Sequence, residues 1–193
     1  MRILVACEYS GTVRDAFRAL GHDAMSCDLL PTERPGPHYQ GSVLDILDDG
    51  WDMMIAHPPC THLAVSGARW WKDKQAEQAA ALDFVRLLMA APIPRIAIEN
   101  PVSIISTAIR KPDQIVQPWM FGHEATKTTC LWLKGLPLLV PTKIAGKGAR
   151  HVTKSGKSLP AWYNLPPSPD RWKIRSTTWQ GMADAMAAQW GNL

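Results

Sequence analysis

The hydrophobic positions of the chain fall into short unbroken runs separated by longer amphipathic stretches. Arg2 to Cys7 is rich in Ile, Leu and Val with little alternation, the form of a strand buried on both faces of a parallel sheet. Gly11 breaks the run, and Val13, Ala16, Phe17 and Leu20 predict a helix over Thr12–Leu20 that stops at Gly21. His22–Cys27 predicts a second strand ending at Asp28, followed by a Pro/Gly-rich loop from Pro31 to Pro37. Gly41–Leu47 is a short segment carrying Asp45, and Asp52–Ala56 is an apolar strand that runs into His57-Pro58-Pro59-Cys60. The clearest helix spans Lys72–Ala90, with apolar positions at Ala76, Ala79, Ala80, Leu82, Phe84, Val85, Leu87 and Leu88, and Pro92 and Pro94 end it. Arg95–Ile98 predicts a strand leading into Glu99-Asn100-Pro101. Thr129–Leu133 and Leu138–Val140 predict later strands, Lys143–Pro169 predicts no regular structure, and Thr177–Trp190 predicts a closing helix.

Strands that alternate with helices predict an α/β sandwich, a mostly parallel sheet with helices on both faces, in which ligands bind beyond the carboxyl ends of the strands. The 193 residues suit one domain. No apolar run approaches the roughly 20 residues of a membrane span, and the N-terminus, interrupted by Glu8, is no signal peptide, so the expectation is a cytoplasmic protein without a membrane partner. Cys7, Cys27, Cys60 and Cys130 form no CxxC pair, which favours reduced thiols over a disulfide framework. His57, Cys60 and His62 crowd together, but Pro58 and Pro59 separate the first two, and no metal is expected.

Charge changes this picture in one region. The net charge of +4 is mild, yet Ala125–Pro169 contains no acidic residue and carries Lys127, Lys134, Lys143, Lys147, Arg150, Lys154 and Lys157. Such a stretch can follow a phosphate backbone, or it can be a solvated basic loop. Nine tryptophans are many for this length, and Trp70 and Trp71, beside Arg69 and Lys72, suit stacking on an exposed base. Trp132, Trp179 and Trp190 read as core.

The chemistry-bearing residues gather at the predicted strand ends: Glu8, Asp28, Asp45, Cys60 and Glu99. Pro58 and Pro59 fix the direction of the Cys60 thiol, whose thiolate would be the nucleophile. Glu99, just past a buried strand, is expected to be desolvated and raised in pKa, a proton donor near neutrality. Glu8-Tyr9-Ser10-Gly11 forms the first strand-to-helix turn, where glycine permits close approach to a ligand. Asp28 is placed to accept hydrogen bonds from ribose hydroxyls, and Asp45 from an adenine amino group.

These residues resemble, in order, the motifs of DNA cytosine-C5 methyltransferases. Pro58-Pro59-Cys60, with Gly67 seven residues beyond the cysteine, is similar to that family's catalytic loop, and Glu99-Asn100-Pro101 to its Glu-Asn-Val motif. Gly11 matches the cofactor loop, Asp28 and Asp45 fall at the next two cofactor motifs, and Thr178–Ala183 resembles the final Gly-Asn motif before the last helix. The resemblance implies a Rossmann-like class I methyltransferase fold and S-adenosyl-L-methionine as cofactor, with Glu8, Tyr9, Ser10, Gly11, Asp28, Asp45 and Pro58 around it. It implies that Cys60 adds to C6 of cytosine while Glu99, with Asn100, engages N3, and that C5 receives the methyl group. A base in DNA would have to leave the stack to reach the thiol.

Two departures qualify the match. Residues 143–169 stand as a basic insertion where a separate target-recognition domain would be. The family's Arg-x-Arg substrate motif is replaced by Thr126-Lys127-Thr128-Thr129, leaving Lys127, Arg69, Lys147 and Arg150 as substrate-binding candidates. The substrate is expected to be DNA, single- or double-stranded, or else a free cytosine nucleotide. Amino-group methylation of adenine or cytosine is disfavoured, because those enzymes place an aromatic residue where Cys60 stands. A non-catalytic nucleic-acid-binding module would account for the basic stretch but not for Cys60 and Glu99 together.

Overall fold

The structure is a computed structural model that describes residues 1–193 apart from the side chain of Trp70, so the expectation that this ring stacks on a base lies outside the described residues. Its framework is one seven-stranded sheet: β1 (Arg2–Ala6), β2 (Asp23–Asp28), β3 (His38–Gln40), β4 (Met53–Ala56), β5 (Arg95–Pro101), β6 (Gln114–Val116) and β7 (Thr129–Lys134). The strands lie in the order β3-β2-β1-β4-β5-β7-β6. The first five are parallel, and β7 runs antiparallel to both β5 and β6.

The unbroken apolar runs follow from burial on both faces. Ile3 and Val5 of β1 join Met53, Ile55, Ala97 and Leu131 under helices α1 (Thr12–Ala19) and α5 (Gln180–Trp190), which pack on each other through Val13, Phe17, Met182, Met186 and Trp190. Leu4 and Ala6 face the other way, with Met54, Ala56, Ile96, Ile98 and Trp132. Helix α2 (Gln75–Ala90) covers this second face with Leu82, Val85 and Leu88, a spacing of three that lies along one stripe. Each of these three side chains contributes roughly 1.5–3 kcal/mol by leaving water. Ala76, Ala79, Ala80 and Leu87, counted in the predicted apolar pattern, are exposed.

Several expectations need correction. Residues 65–73, before α2, form a 3-10 helix, and Ile105–Ala108 forms the short helix α3. Leu138–Val140 is not a strand. Gln114 donates its side-chain amide to the Leu139 carbonyl and accepts from the Leu139 amide, both at 2.8 Å, and Gln189 does the same for Val140. Two glutamine side chains thus supply the bonds a neighbouring strand would have made. The basic region is not devoid of regular structure either: β8 (Arg150–Val152) and β9 (Ser158–Pro160) form a separate hairpin, followed by the 3-10 turn Ala161–Asn164 and helix α4 (Arg171–Ser176).

Arg14, in α1, has no exposed surface. Its guanidinium pairs with Asp15 at 2.8 Å and donates to Ser26, Thr32 and the Arg34 carbonyl, so it holds the loop after β2. A Cβ at Gly11 would lie 2.5 Å from this guanidinium, and Gly11 has φ +72°. Glycine is needed there for the left-handed turn and for the space that the arginine fills.

Candidate active site

The first turn is built by β1 and closed by Glu8. Cys7 leaves the strand at φ +58°, an uncommon conformation for a residue with a side chain. Glu8 is buried, and its carboxylate accepts from the Val13 amide at 2.7 Å, the Arg14 amide at 3.2 Å and the Ser10 hydroxyl at 3.2 Å. The positive end of α1, an ordinary anion-binding position, is therefore filled by the chain's own carboxylate.

Tyr9 reaches the other way. Its hydroxyl is 2.9 Å from Ser176 Oγ, and its ring lies 5.7 Å from Trp172, both in α4. Cys7, Glu8, Tyr9 and Ser10 face His57 and Ser176–Thr178 across a cavity of about 60 Å³. Asp28 is half-buried and takes the Leu30 amide on one oxygen, and Asp45 is exposed and takes the Tyr39 hydroxyl on one oxygen, so each carboxylate keeps acceptor capacity at the rim.

The second half of the site comes from β4 and β5. Their parallel register pairs Ala56 with Ile98, which sets His57 beside Glu99. His57 Nδ1 is 3.1 Å from Glu99 Oε2. β5 runs on to Pro101, paired with β7, so Glu99 and Asn100 sit within the ladder rather than beyond it. Asn100 is buried and donates its side-chain amide to the Pro58 carbonyl at 2.8 Å. Beyond Cys60, Leu63 and Val65 are hydrogen-bonded to Ile104 and Val102, and Ala64 bridges Ser103. The loop carrying the thiol and the segment carrying the carboxylate are thereby one construction.

The electrostatics couple the two groups. Cys60 is exposed, whereas Cys27 and Cys130 are buried and Cys7 is half-buried. Crowding by the surrounding protein raises the Cys60 thiol pKa, the negative charge of Glu99 raises it further, and Lys127 and Arg175 oppose both. Glu99 departs from expectation. Burial acts to raise its pKa and is the largest single influence, but the hydrogen bond and charge of His57, with the charge of Lys127, together outweigh it and leave the carboxyl below its ordinary value. Glu99 is an anion near neutrality, not a stored acid.

Lys127 is at the site because β7 is antiparallel: the residues before Thr129 lie at the rim where the parallel strands end. Its ammonium donates to the Arg175 carbonyl at 2.8 Å and lies 5.6 Å from the Trp162 ring. Lys147 is over Trp119 at 5.5 Å. Arg150 braces the hairpin, donating to the Ser158 hydroxyl and carbonyl at 2.9 and 2.7 Å. Arg69 is exposed on the 3-10 helix that follows Cys60. Pro58 is buried with its carbonyl engaged by Asn100 and does not line the cavity by Tyr9. Sequence reasoning did not assign roles to His57, Arg175, Ser176 or Thr177. His57 alone had a signal, a polar ring at a strand end directly before the double proline.

The fold is a Rossmann-like α/β sandwich: five parallel strands, the strand order reversing between β1 and β4, and an antiparallel β7 inserted beside β5. No protein-family model and no curated protein matches the chain in sequence. Among solved structures, a candidate DNA modification methyltransferase encoded within a prophage of E. coli is similar over 76% of this chain, at 15% identity and a TM-score of 0.48. The match covers 52% of that structure, so this chain spans about half its length.

Proposed function

We propose that this protein is an S-adenosylmethionine-dependent methyltransferase that modifies C5 of cytosine in DNA. The observation that carries the reading is the placement of the Cys60 thiol and the Glu99 carboxylate in each other's field at the ends of β4 and β5. A thiol nucleophile and a hydrogen-bonding carboxylate are what addition to C6 of a cytosine ring requires.

The residues at the rim fit the cofactor. A carboxylate already fills the positive end of α1, which disfavours the pyrophosphate of a dinucleotide and leaves a nucleoside without phosphate as the better occupant. Asp28 and Asp45 would bind its hydroxyl and amino groups, and Tyr9, Ser10 and Gly11 would flank it. Bound there, the cofactor supplies an electrophilic methyl group to C5.

Cys60, as thiolate, attacks C6. Glu99 keeps Oε2 on His57 and turns its other oxygen to the N4 amino group of the base, from which it accepts a hydrogen bond, so that the ring is held against the thiol as electron density moves toward C5. Asn100 holds the Pro58 carbonyl and so fixes the loop that aims the thiol. Lys127 offsets the charge of Glu99 at the thiol. Lys147 and the basic stretch to Lys157 would follow the DNA backbone.

The direct experiment uses DNA containing 5-fluorocytosine with S-adenosylmethionine. Fluorine at C5 blocks elimination, so a denaturant-resistant complex is expected with this protein and not with Cys60→Ser. DNA binding with no trapped complex would overturn the reading.

A further inference from the structure

Resting on that reading, we infer that His57 is the base that takes the C5 proton and so releases the methylated cytosine from Cys60. Three observations converge on it. The ring is oriented by Glu99 through Nδ1 at 3.1 Å, and only about a tenth of the side chain is exposed. Its backbone is fixed, because the His57 amide continues the ladder to the Ala6 carbonyl at 2.9 Å. Its other nitrogen, Nε2, is buried and has no hydrogen-bond partner among the described residues, while the ring lines the cavity shared with Tyr9, Ser10 and Thr177.

A carboxylate on Nδ1 selects the tautomer with hydrogen at that atom and leaves the Nε2 lone pair free. This is the arrangement in which an imidazole accepts a proton and a carboxylate stabilises the resulting cation. A buried polar nitrogen without a partner is costly, and a site retains one where it has work to do. The ring stands between the cavity assigned to the methyl donor and the carboxylate assigned to the base edge, which is where C5 must lie if methyl transfer is to occur.

The step balances within the chain and its substrate. After methylation, C5 carries the methyl group and its original hydrogen, and C6 carries Cys60. Nε2 takes the hydrogen as a proton. The electrons of the C5–H bond form the C5=C6 double bond, and those of the C6–S bond leave with sulfur as the Cys60 thiolate. His57, now a cation beside the Glu99 anion, returns its proton to water.

The test uses His57→Asn and His57→Gln, which keep a polar side chain but have no basic nitrogen. Both should form the trapped complex on 5-fluorocytosine DNA. On DNA carrying 5-tritiated cytosine they should also accumulate a denaturant-resistant methylated complex, with tritium release reduced at least tenfold per trapping-competent molecule. Wild-type protein should release one tritium per methyl group and accumulate no such complex. In the cofactor-free protein, NMR of nitrogen-labelled histidine should show His57 protonated at Nδ1 and bare at Nε2. Variants that release tritium normally, variants that trap nothing, or a wild-type ring protonated at Nε2 and bare at Nδ1 would overturn the inference. If wild-type protein itself traps nothing, the fault lies with the cytosine reading instead.

Discussion

The side-chain amide of Asn100 holds the carbonyl of Pro58 at 2.8 Å, and both residues are buried. One hydrogen bond thus fastens the loop that carries Cys60 to the strand that carries Glu99. Asn100→Ala leaves a buried carbonyl unsatisfied, at a cost of about 1–3 kcal/mol. The expected result is a lower unfolding midpoint together with slower trapping on 5-fluorocytosine DNA, whereas cofactor affinity, measured by calorimetry, stays within twofold. Trapping at the wild-type rate would show that the loop is aimed by its prolines alone.

Alkylation should report the field around the thiol. Burial, with the charge of Asp28 and neighbouring thiols or carboxylates, pushes Cys7 and Cys27 up to about 12, and burial with the charge of Glu99 pushes Cys130 to about 11. Iodoacetamide in the native protein should therefore mark Cys60. Its rate at pH 8 should rise in Glu99→Gln, which removes a charge that raises the thiol pKa, and fall in Lys127→Met, which removes one that lowers it. Mass spectrometry of the labelled peptide reads both directions.

Glu99 also makes stability depend on pH in a definite sense. Its folded pKa lies below the ordinary carboxyl value of about 4.3. The folded state therefore favours the anion, and this contribution is complete above the ordinary value and lost as pH falls through the folded one. The difference in unfolding free energy between wild type and Glu99→Gln should hold steady from neutrality to about pH 5 and shift against wild type below that. Urea titrations at a series of pH values measure it, and a difference unchanged into strong acid would contradict the His57 hydrogen bond and the field of Lys127.

Helix α4 closes the cavity beside the first turn through Tyr9, and Lys173 reaches Glu33 at 3.5 Å on the far side of that closure. The cavity's volume of about 60 Å³ is small beside the roughly 300–1,000 Å³ of ordinary ligand sites. Admission of a nucleoside is expected to require α4 to shift. Tyr9→Phe, which loses the bond to Ser176, should speed cofactor association severalfold in stopped-flow fluorescence, with Trp172 as reporter, at a stability cost of about 0.5–1.5 kcal/mol.

The central sheet was legible in the sequence because strands buried on both faces leave continuous apolar runs, as β1, β4 and β5 do. The edges were not. β3 and β6 have three residues each and take their places through neighbours rather than through composition. Leu138–Val140 misled for the opposite reason: it is apolar and contains buried Leu139, but glutamine side chains replace its strand partner. In the site, Cys60 and Glu99 stood out by motif, whereas the sign of the Glu99 shift depends on His57, just after β4, and Lys127, just before β7. Glu8 stood out as a rim acid, but its bonds to the amides of α1 become visible only once the turn is folded.

The packing of α1 against α5 joins residues that are far apart in the sequence and are therefore made at different times. While the chain emerges, Val13 and Phe17 have no cover until Met182, Met186 and Trp190 follow them out of the ribosome. The nascent polypeptide therefore carries an open apolar flank until α5 has been made, the kind of exposed surface that makes intermediates prone to aggregate.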